Sequence, residues 1–98
     1  MKYDLPQAVI DKLKSFFNRF HNIDKVDIFG SRARGDNTPK SDIDICIYSS
    51  SISSEEFSKL RAELNELPIL YKIDIVHFEN SNNELKANIL KDSKLLFE

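Results

Sequence analysis

Two carboxylates, Asp42 and Asp44, stand two residues apart and could do chemistry together. They fall in an alternating segment, residues 41–48, that predicts a β-strand with both acids on one face and isoleucines on the other. At a separation of about 6–7 Å and an effective dielectric of about 20, their repulsion costs roughly 2–3 kcal/mol. A divalent cation is the simplest group that would offset this cost. The pair therefore predicts a metal site.

A second chemical feature, Gly30-Ser31, follows a short predicted strand at residues 25–29. Gly30 permits a tight turn onto a helix start, and Ser31 offers a hydroxyl and a backbone N–H to a phosphate. Arg32 and Arg34 come next, and a guanidinium donates two parallel hydrogen bonds to a phosphate. We expect phosphate binding or structural pairing for one of these arginines, without assigning which. Solvated arginines on an exposed turn are the alternative, and the P-loop pattern is absent from the sequence.

Asp74 is the third informative acid, because it stands alone in a β-branched segment at residues 71–78. If the first two strands are antiparallel, the Gly-Ser turn meets Asp42. A predicted helix of about four turns joins the second and third strands, which is the length of a right-handed parallel crossover. This topology places Asp74 beside Asp42 and Asp44, in an oxygen-only cluster that suits Mg²⁺ or Mn²⁺. An ion pair with Lys72 and an edge position are the alternatives for Asp74.

The joint pattern is Gly30-Ser31, then ten residues, then Asp42-Ile43-Asp44. It resembles the signature of the polymerase-β-like nucleotidyltransferases, in the version of the minimal nucleotidyltransferase (MNT) family. The resemblance implies an α+β fold, a polymerase-β-like core whose small mixed sheet is flanked by helices. It also implies Asp42 and Asp44 as ligands of two metal ions, and Asp74 as a ligand of the catalytic metal and as a base. The expected nucleotide-binding residues are Gly30, Ser31, Arg32, Arg34 and Ser41.

The MNT resemblance further implies transfer of AMP from ATP, with Mg²⁺ or Mn²⁺, to a tyrosine of a helical HEPN toxin. The chain would then be the antitoxin of that pair. Two alternatives stay open: a binding module that neutralises its partner by contact, and a nucleotidyltransferase for a small molecule. No acceptor domain is recognisable in the sequence, so the small molecule is disfavoured unless dimerisation builds its pocket. Homo- and hetero-oligomers are both compatible with this interpretation.

Length and composition bound the remaining possibilities. With 98 residues, 41% hydrophobic and 31% charged, the chain is expected to be one globular domain, residues 1–98. A net charge of −2 disfavours a broad nucleic-acid-binding surface. The one cysteine, Cys46, excludes an intramolecular disulfide and a Cys-based zinc site, and we expect it to be buried. No apolar run is long enough to span a membrane and no signal peptide is recognisable, so a cytoplasmic protein is expected.

The remaining elements follow from helical spacing and capping signals. The predicted first helix starts at Asp4 and Pro6 and ends at His21-Asn22. A capping box of Ser53 with Glu56 predicts the start of a second long helix, which Pro68 ends. Residues 84–91 are predicted to form a last helix, and residues 94–97 a short strand. Asp27, in the first strand, is expected at a sheet edge or in a pair with a cation, and not in catalysis.

Overall fold

The computed structural model describes residues 5–98, so the predicted helix-start residue Asp4 lies outside the described residues. Helices and strands alternate along this range, as the spacing of apolar residues predicts. In chain order they are α1 (Gln7–Phe17), β1 (Lys25–Phe29), α2 (Ser31–Arg34), β2 (Ile43–Tyr48), α3 (Ser54–Leu64), β3 (Ile73–His77), a 3-10 turn (Phe78–Asn80), α4 (Asn83–Asp92) and β4 (Lys94–Phe97). Among residues 5–98, none of the helices has the length and apolar character needed to cross a membrane.

Helix α1 buries one apolar face and stops earlier than the sequence predicts. Its buried residues are Val9, Ile10, Leu13, Phe16 and Phe17. Beyond Phe17 the chain tightens into i→i−3 hydrogen bonds: the Arg19 N–H donates to Phe16 O at 3.3 Å, and the Phe20 N–H donates to Phe17 O at 3.1 Å. The helix therefore ends at Phe17 rather than at His21, because its last turn is no longer α-helical.

A mixed, four-stranded sheet forms the centre of residues 5–98, in the order β3-β2-β1-β4. β1 pairs antiparallel with β2 and β4, whereas β3 pairs parallel with β2. The strand directions predicted from the connections are therefore confirmed. One face of the sheet is a buried apolar layer that joins one cluster with α1 and α3. Its strand residues are Val26, Ile28, Ile43, Ile45, Ile47, Ile73, Ile75 and Leu96.

Helix α3 provides the crossover that makes β2 and β3 parallel. The Glu56 N–H donates to Ser53 Oγ at 3.1 Å, and the Ser53 N–H donates to Glu56 Oε1 at 3.0 Å. The predicted capping box is confirmed, and it fixes where the helix starts after β2. Leu60 and Leu64 are buried against the core. The helix ends at Leu64, before the predicted stop at Pro68, and an irregular loop then leads into β3.

The opposite face of the sheet carries polar residues, and Asp27 lies in its interior. Asp27 pairs with Cys46 of β2 on one side and with Leu95 of β4 on the other. The expected edge position is wrong, because residues 94–97 form a strand beyond β1. The expected cation partner is confirmed, since Lys25 Nζ lies 3.8 Å from Asp27 Oδ2.

Part of this polar face is packed and chemically quiet. Cys46 is buried as predicted, and burial is the main cause that raises the pKa of its thiol to about 12. A thiol with this pKa stays protonated at neutral pH and is a poor nucleophile. The ring of Tyr48 stacks on Phe78, with centroids 4.7 Å apart, while Lys25 Nζ lies 4.5 Å from the Tyr48 centroid. The open part of the face is therefore the other end of β2, where Asp44 lies.

Candidate active site

The strand register brings two of the three predicted acids side by side. Asp44 pairs with Phe29 of β1 on one side and with Asp74 of β3 on the other. The Ile43 N–H donates to Lys72 O at 2.9 Å, which holds the start of β2 against the start of β3. Asp42 directly precedes β2 and shares the face of Asp44, because side chains alternate along a strand. The structure thus places the carboxylates at one end of the sheet, with Asp74 exposed and the other two half-buried.

Gly30 closes this site from the side of β1. Its φ of +76° lies in the region that favours glycine. A Cβ built on Gly30 would overlap Asp44 Oδ2 and would lie 3.2 Å from Asp44 Cγ. The backbone of the Gly-Ser turn therefore lies directly against the central carboxylate. The sequence predicts that the turn meets Asp42, whereas the structure places it against Asp44. The role of the turn in binding phosphate stays a prediction.

The electrostatics of the site are those of an incompletely neutralised carboxylate cluster. Burial raises the pKa of Asp44, and the negative charges of Asp74 and Asp42 raise it further. The positive charge of Arg34 opposes this rise. The ionised form of Asp44 is therefore destabilised by burial and by its two negative neighbours. A cation placed between the carboxylates would relieve this destabilisation.

The donor set consists of oxygen atoms, the kind of ligand that Mg²⁺ prefers. Within residues 5–98, no three His, Cys, Asp or Glu side chains form a ready-made metal-holding group. Mg²⁺ is nevertheless commonly held by one or two carboxylates together with waters and substrate phosphates, rather than by an all-protein cage. Asp42, Asp44 and Asp74 supply only oxygen donors. Oxygen donors suit Mg²⁺ better than zinc, which prefers nitrogen and sulfur ligands.

Arg32 is buried, and its guanidinium holds the connector between α2 and β2. Arg32 Nη2 donates to Ser41 O at 3.0 Å and to Thr38 O at 3.5 Å, and Arg32 Nε donates to Ser41 O at 3.2 Å. Its guanidinium carbon lies 4.6 Å from the ring centroid of Tyr71. Ser41 Oγ in turn accepts from the Thr38 N–H at 2.8 Å. Of the two roles left open by the sequence, these contacts favour structural pairing for Arg32.

Arg34 has a different environment and faces solvent near Asp44. Arg34 Nε donates to Asp36 Oδ2 at 3.1 Å, and Arg34 Nη1 donates to Asp92 Oδ2 at 3.4 Å. Its side chain is 44% exposed. It is thus the arginine of the pair that an incoming phosphate could reach, although its phosphate contact stays a prediction.

Replacing Arg32 tests its structural role. We expect Arg32→Ala to lower the free energy of unfolding by about 2–4 kcal/mol, because charge-assisted hydrogen bonds to two carbonyls and the packing on Tyr71 are lost. Arg34→Ala is the matched control, and we expect it to cost clearly less than Arg32→Ala, because the Arg34 side chain and its partner Asp36 are exposed to screening by solvent. Urea unfolding followed by circular dichroism measures both values. Equal losses in the two variants would contradict the assignment.

A family comparison decides the class of the chain. The model of the family described as "Polymerase beta, Nucleotidyltransferase" matches residues 11–98. The chain belongs to this family. The predicted family and the predicted fold class are thereby confirmed. No protein with a curated description matches the sequence.

Solved structures share the fold of this nucleotidyltransferase. A chain of a toxin–antitoxin complex with AMP-PNP aligns with a TM-score of 0.75 at 19% identity, over 89% of this chain and 71% of that one. A chain of the complex between tri-AMPylated Shewanella oneidensis HEPN toxin and an MNT antitoxin aligns with a TM-score of 0.69 at 17% identity, over 92% of this chain and 70% of that one. A protein classed as a minimal nucleotidyltransferase aligns with a TM-score of 0.68 at 25% identity, over 90% of this chain and 89% of that one. The first two likenesses show the fold alone.

Two residues near the nucleotidyltransferase site escaped the sequence interpretation. Asp92, at the end of α4, contacts Arg34, and Tyr71, just before β3, packs on Arg32. No local pattern marks either residue, because both act across the fold on residues of α2. They reach the site only because of the strand order and the position of α4 in the fold.

Proposed function

We propose that this nucleotidyltransferase transfers AMP from ATP to a tyrosine hydroxyl of a partner HEPN-domain protein. The observation that carries the proposal is the register of Asp44 with Asp74, directly beside the Gly30 turn. Nucleotidyl transfer needs carboxylates at the reacting phosphate and a separate grip on the leaving pyrophosphate. We further propose that residues 1–98 act as one nucleotidyltransferase domain.

The proposed roles follow from the position of each carboxylate. Asp42 and Asp44 would bind Mg²⁺, or Mn²⁺ in its place, and Asp74 would complete the site nearer the acceptor. The bound metal would stabilise negative charge on the α-phosphate and on the departing pyrophosphate. The acceptor oxygen forms the new bond to the α-phosphorus, and the bond to the bridging oxygen of pyrophosphate breaks. Asp74, the exposed carboxylate, accepts the proton that the acceptor hydroxyl loses.

The remaining predicted residues are proposed to bind the triphosphate. Gly30 and Ser31 would hold the β- and γ-phosphates, and Arg34 would add a charged contact that competes with its two carboxylate partners. Arg32 and Ser41 would contribute to nucleotide binding indirectly, because they hold the connector that leads into Asp42. ATP is the proposed nucleotide because a structural neighbour was solved with AMP-PNP.

The proposed partner rests on similarity to proteins of known assembly. A structural neighbour is part of a complex that contains an AMPylated HEPN toxin and an MNT antitoxin. The chain covers 70% of that neighbour's length at 17% identity, which supports a shared fold and motivates the partner. The acceptor tyrosine is carried over as part of this proposal.

A transfer assay tests the proposal. Purified protein, Mg²⁺ and α-labelled ATP are mixed with a HEPN-domain protein, and label on that protein is counted. We expect labelling by the wild type and by the surface control Asp24→Asn, and none by Asp44→Asn. Unchanged labelling by Asp44→Asn would contradict the proposal. A variant that labels nothing but still neutralises the partner in cells would favour the binding-module alternative instead.

A further inference from the structure

We propose that a cleft beside the carboxylates is the docking site of the acceptor, and that it takes a protein segment with an apolar residue and acidic residues near its hydroxyl. This inference rests on the proposed function. The cleft, here the acceptor cleft, has a volume of about 430 Å³. Its walls are the connector that enters β2 and the loop that enters β3. Its lining includes Lys40, Asp42, Leu70, Tyr71 and Lys72.

The position of the acceptor cleft relative to the Gly-Ser turn suits an in-line displacement. β2 lies between β1 and β3, so Asp44 has the turn at the end of β1 on one side and Asp74 on the other. The cleft is bounded by Asp42 and Lys72, and thus lies on the side of β3. Attacking and leaving oxygens stand roughly in line in phosphoryl-type transfer. With the triphosphate tail held at β1, the acceptor must approach from this side.

Leu70 gives the cleft an apolar anchor point. Its relative exposure is 101%, although it is a large hydrophobic residue. Its neighbours Leu67, Ile69 and Tyr71 all pack against the core, so the loop is held while Leu70 is turned outward. A fully exposed leucine on a fixed loop loses little conformational entropy when a partner covers it. This favours a protein occupant with an apolar contact residue.

Arg32 ties the two walls of the cleft together. It donates to Ser41 O in the connector wall and stacks on Tyr71 in the loop wall. One buried guanidinium therefore sets the spacing between the walls. The cleft is largely pre-formed, which is the usual condition of a binding site.

Two lysines make the rim of the cleft positive in a chain of net charge −2. Lys40 stands on the connector wall and Lys72 on the loop wall, and both are exposed. Within residues 5–98, neither belongs to an ion pair. The facing negative groups are Asp42 in the wall and Asp74 beyond it, which the proposed metal binding would neutralise. Acidic side chains of a protein segment complement this rim.

A nucleic-acid acceptor is the competing occupant, and the structure favours it less. Two lysines offer at most two phosphate contacts, which supplies little of the electrostatic affinity that nucleic-acid binding needs. An exposed leucine matches an apolar side chain of a protein better than a sugar-phosphate backbone.

The test uses two fluorescent peptides that share a central tyrosine and a leucine, one flanked by glutamates and the other by lysines. With Mg²⁺ and ATP, AMP transfer to each peptide is followed by mass spectrometry. For the wild type we expect kcat/KM to be about fivefold higher for the glutamate peptide, and Lys40→Glu with Lys72→Glu to reverse this preference. Leu70→Ser should lower kcat/KM about tenfold for both peptides. Lys14→Glu and Leu90→Ser are the matched surface controls.

The readouts separate failure of the cleft from failure of the proposed function. Anisotropy of the same peptides, with Mg²⁺ and AMP-PNP, reports docking without transfer. Tighter binding of the glutamate peptide without any transfer would reject the proposed function and keep the cleft. Equal use or equal binding of the two peptides, including no binding of either, would overturn the cleft. A raised KM for ATP in the lysine variants, or displacement of peptide by a single-stranded RNA oligonucleotide, would overturn it as well.

Discussion

Gly30→Ala lowers kcat/KM for nucleotidyl transfer at least about 100-fold, because the added methyl group displaces the central carboxylate of the site. A Cβ at this position would overlap Asp44 Oδ2, and Asp44 cannot keep its place while that Cβ is present. A displacement of about 1 Å in a catalytic group is enough for a loss of this size. Steady-state transfer of label from ATP to the partner protein measures the effect.

Gly35→Ala is the matched control for that variant. Gly35 also has a positive φ, +89°, but a Cβ built there meets no atom of the described residues within 4 Å. Both alanines carry a backbone cost of about 1–3 kcal/mol, the larger one at Gly30, whose φ of 76° and ψ of −155° are open essentially to glycine alone. Only the Cβ at Gly30 reaches Asp44. Gly35→Ala should lose stability and keep kcat/KM within about threefold of the wild type. Similar losses of activity in both variants would show that backbone strain, rather than the clash with Asp44, is responsible.

Asp44→Asn is expected to have opposite effects on activity and on stability. Its effect on activity is the second large effect that we predict. We expect transfer to fall by about 10³-fold or more, since a central negative ligand is lost. We expect the same change to stabilise the metal-free protein at neutral pH, on the order of 1 kcal/mol after allowance for solvent screening at Asp74. The reason is that burial and two like charges disfavour ionised Asp44, and the amide carries no charge.

The raised pKa of Asp44 also predicts how the free energy of unfolding changes with pH. The pKa of Asp44 is raised in the folded protein, so the folded state binds more protons than the unfolded state between the ordinary aspartate pKa and the raised one. The stability contribution of Asp44 is therefore lost as pH rises through this interval. Asp44→Asn should remove this dependence, and Asp24→Asn should retain it. Urea unfolding across the interval measures both, and a wild-type stability that rises there because of Asp44 would contradict the argument.

The central geometry of the site could be predicted from sequence because it depends on two strong rules. Side chains alternate along a strand, which puts Asp42 and Asp44 on one face. A helix of α3's length after β2 is typical of a right-handed parallel crossover, which brings the start of β3 beside the start of β2. Together these rules place Asp74 next to Asp44, as the register shows.

The environments of Asp27 and of the two arginines could not be predicted in the same way. Asp27 is interior only because the short strand β4 pairs with β1, and a four-residue strand gives a weak sequence signal. Arg32 and Arg34 stand two apart in a four-residue helix, too short to have a clear apolar face. Which of them is buried is decided by Tyr71, which arrives from a distant loop. Local sequence patterns therefore do not predict these environments, because contacts between segments distant in sequence determine them.

The most direct test of the central claim is a calorimetric titration of the protein with AMP-PNP in the presence and absence of Mg²⁺. The claim is that the carboxylates of β2 and β3 bind a metal-bound nucleotide beside the Gly30 turn. It predicts saturable binding by the wild type with Mg²⁺, a loss of at least about tenfold in affinity with EDTA, and a similar loss in Asp44→Asn. Binding of equal strength with EDTA, or in Asp44→Asn, would contradict it.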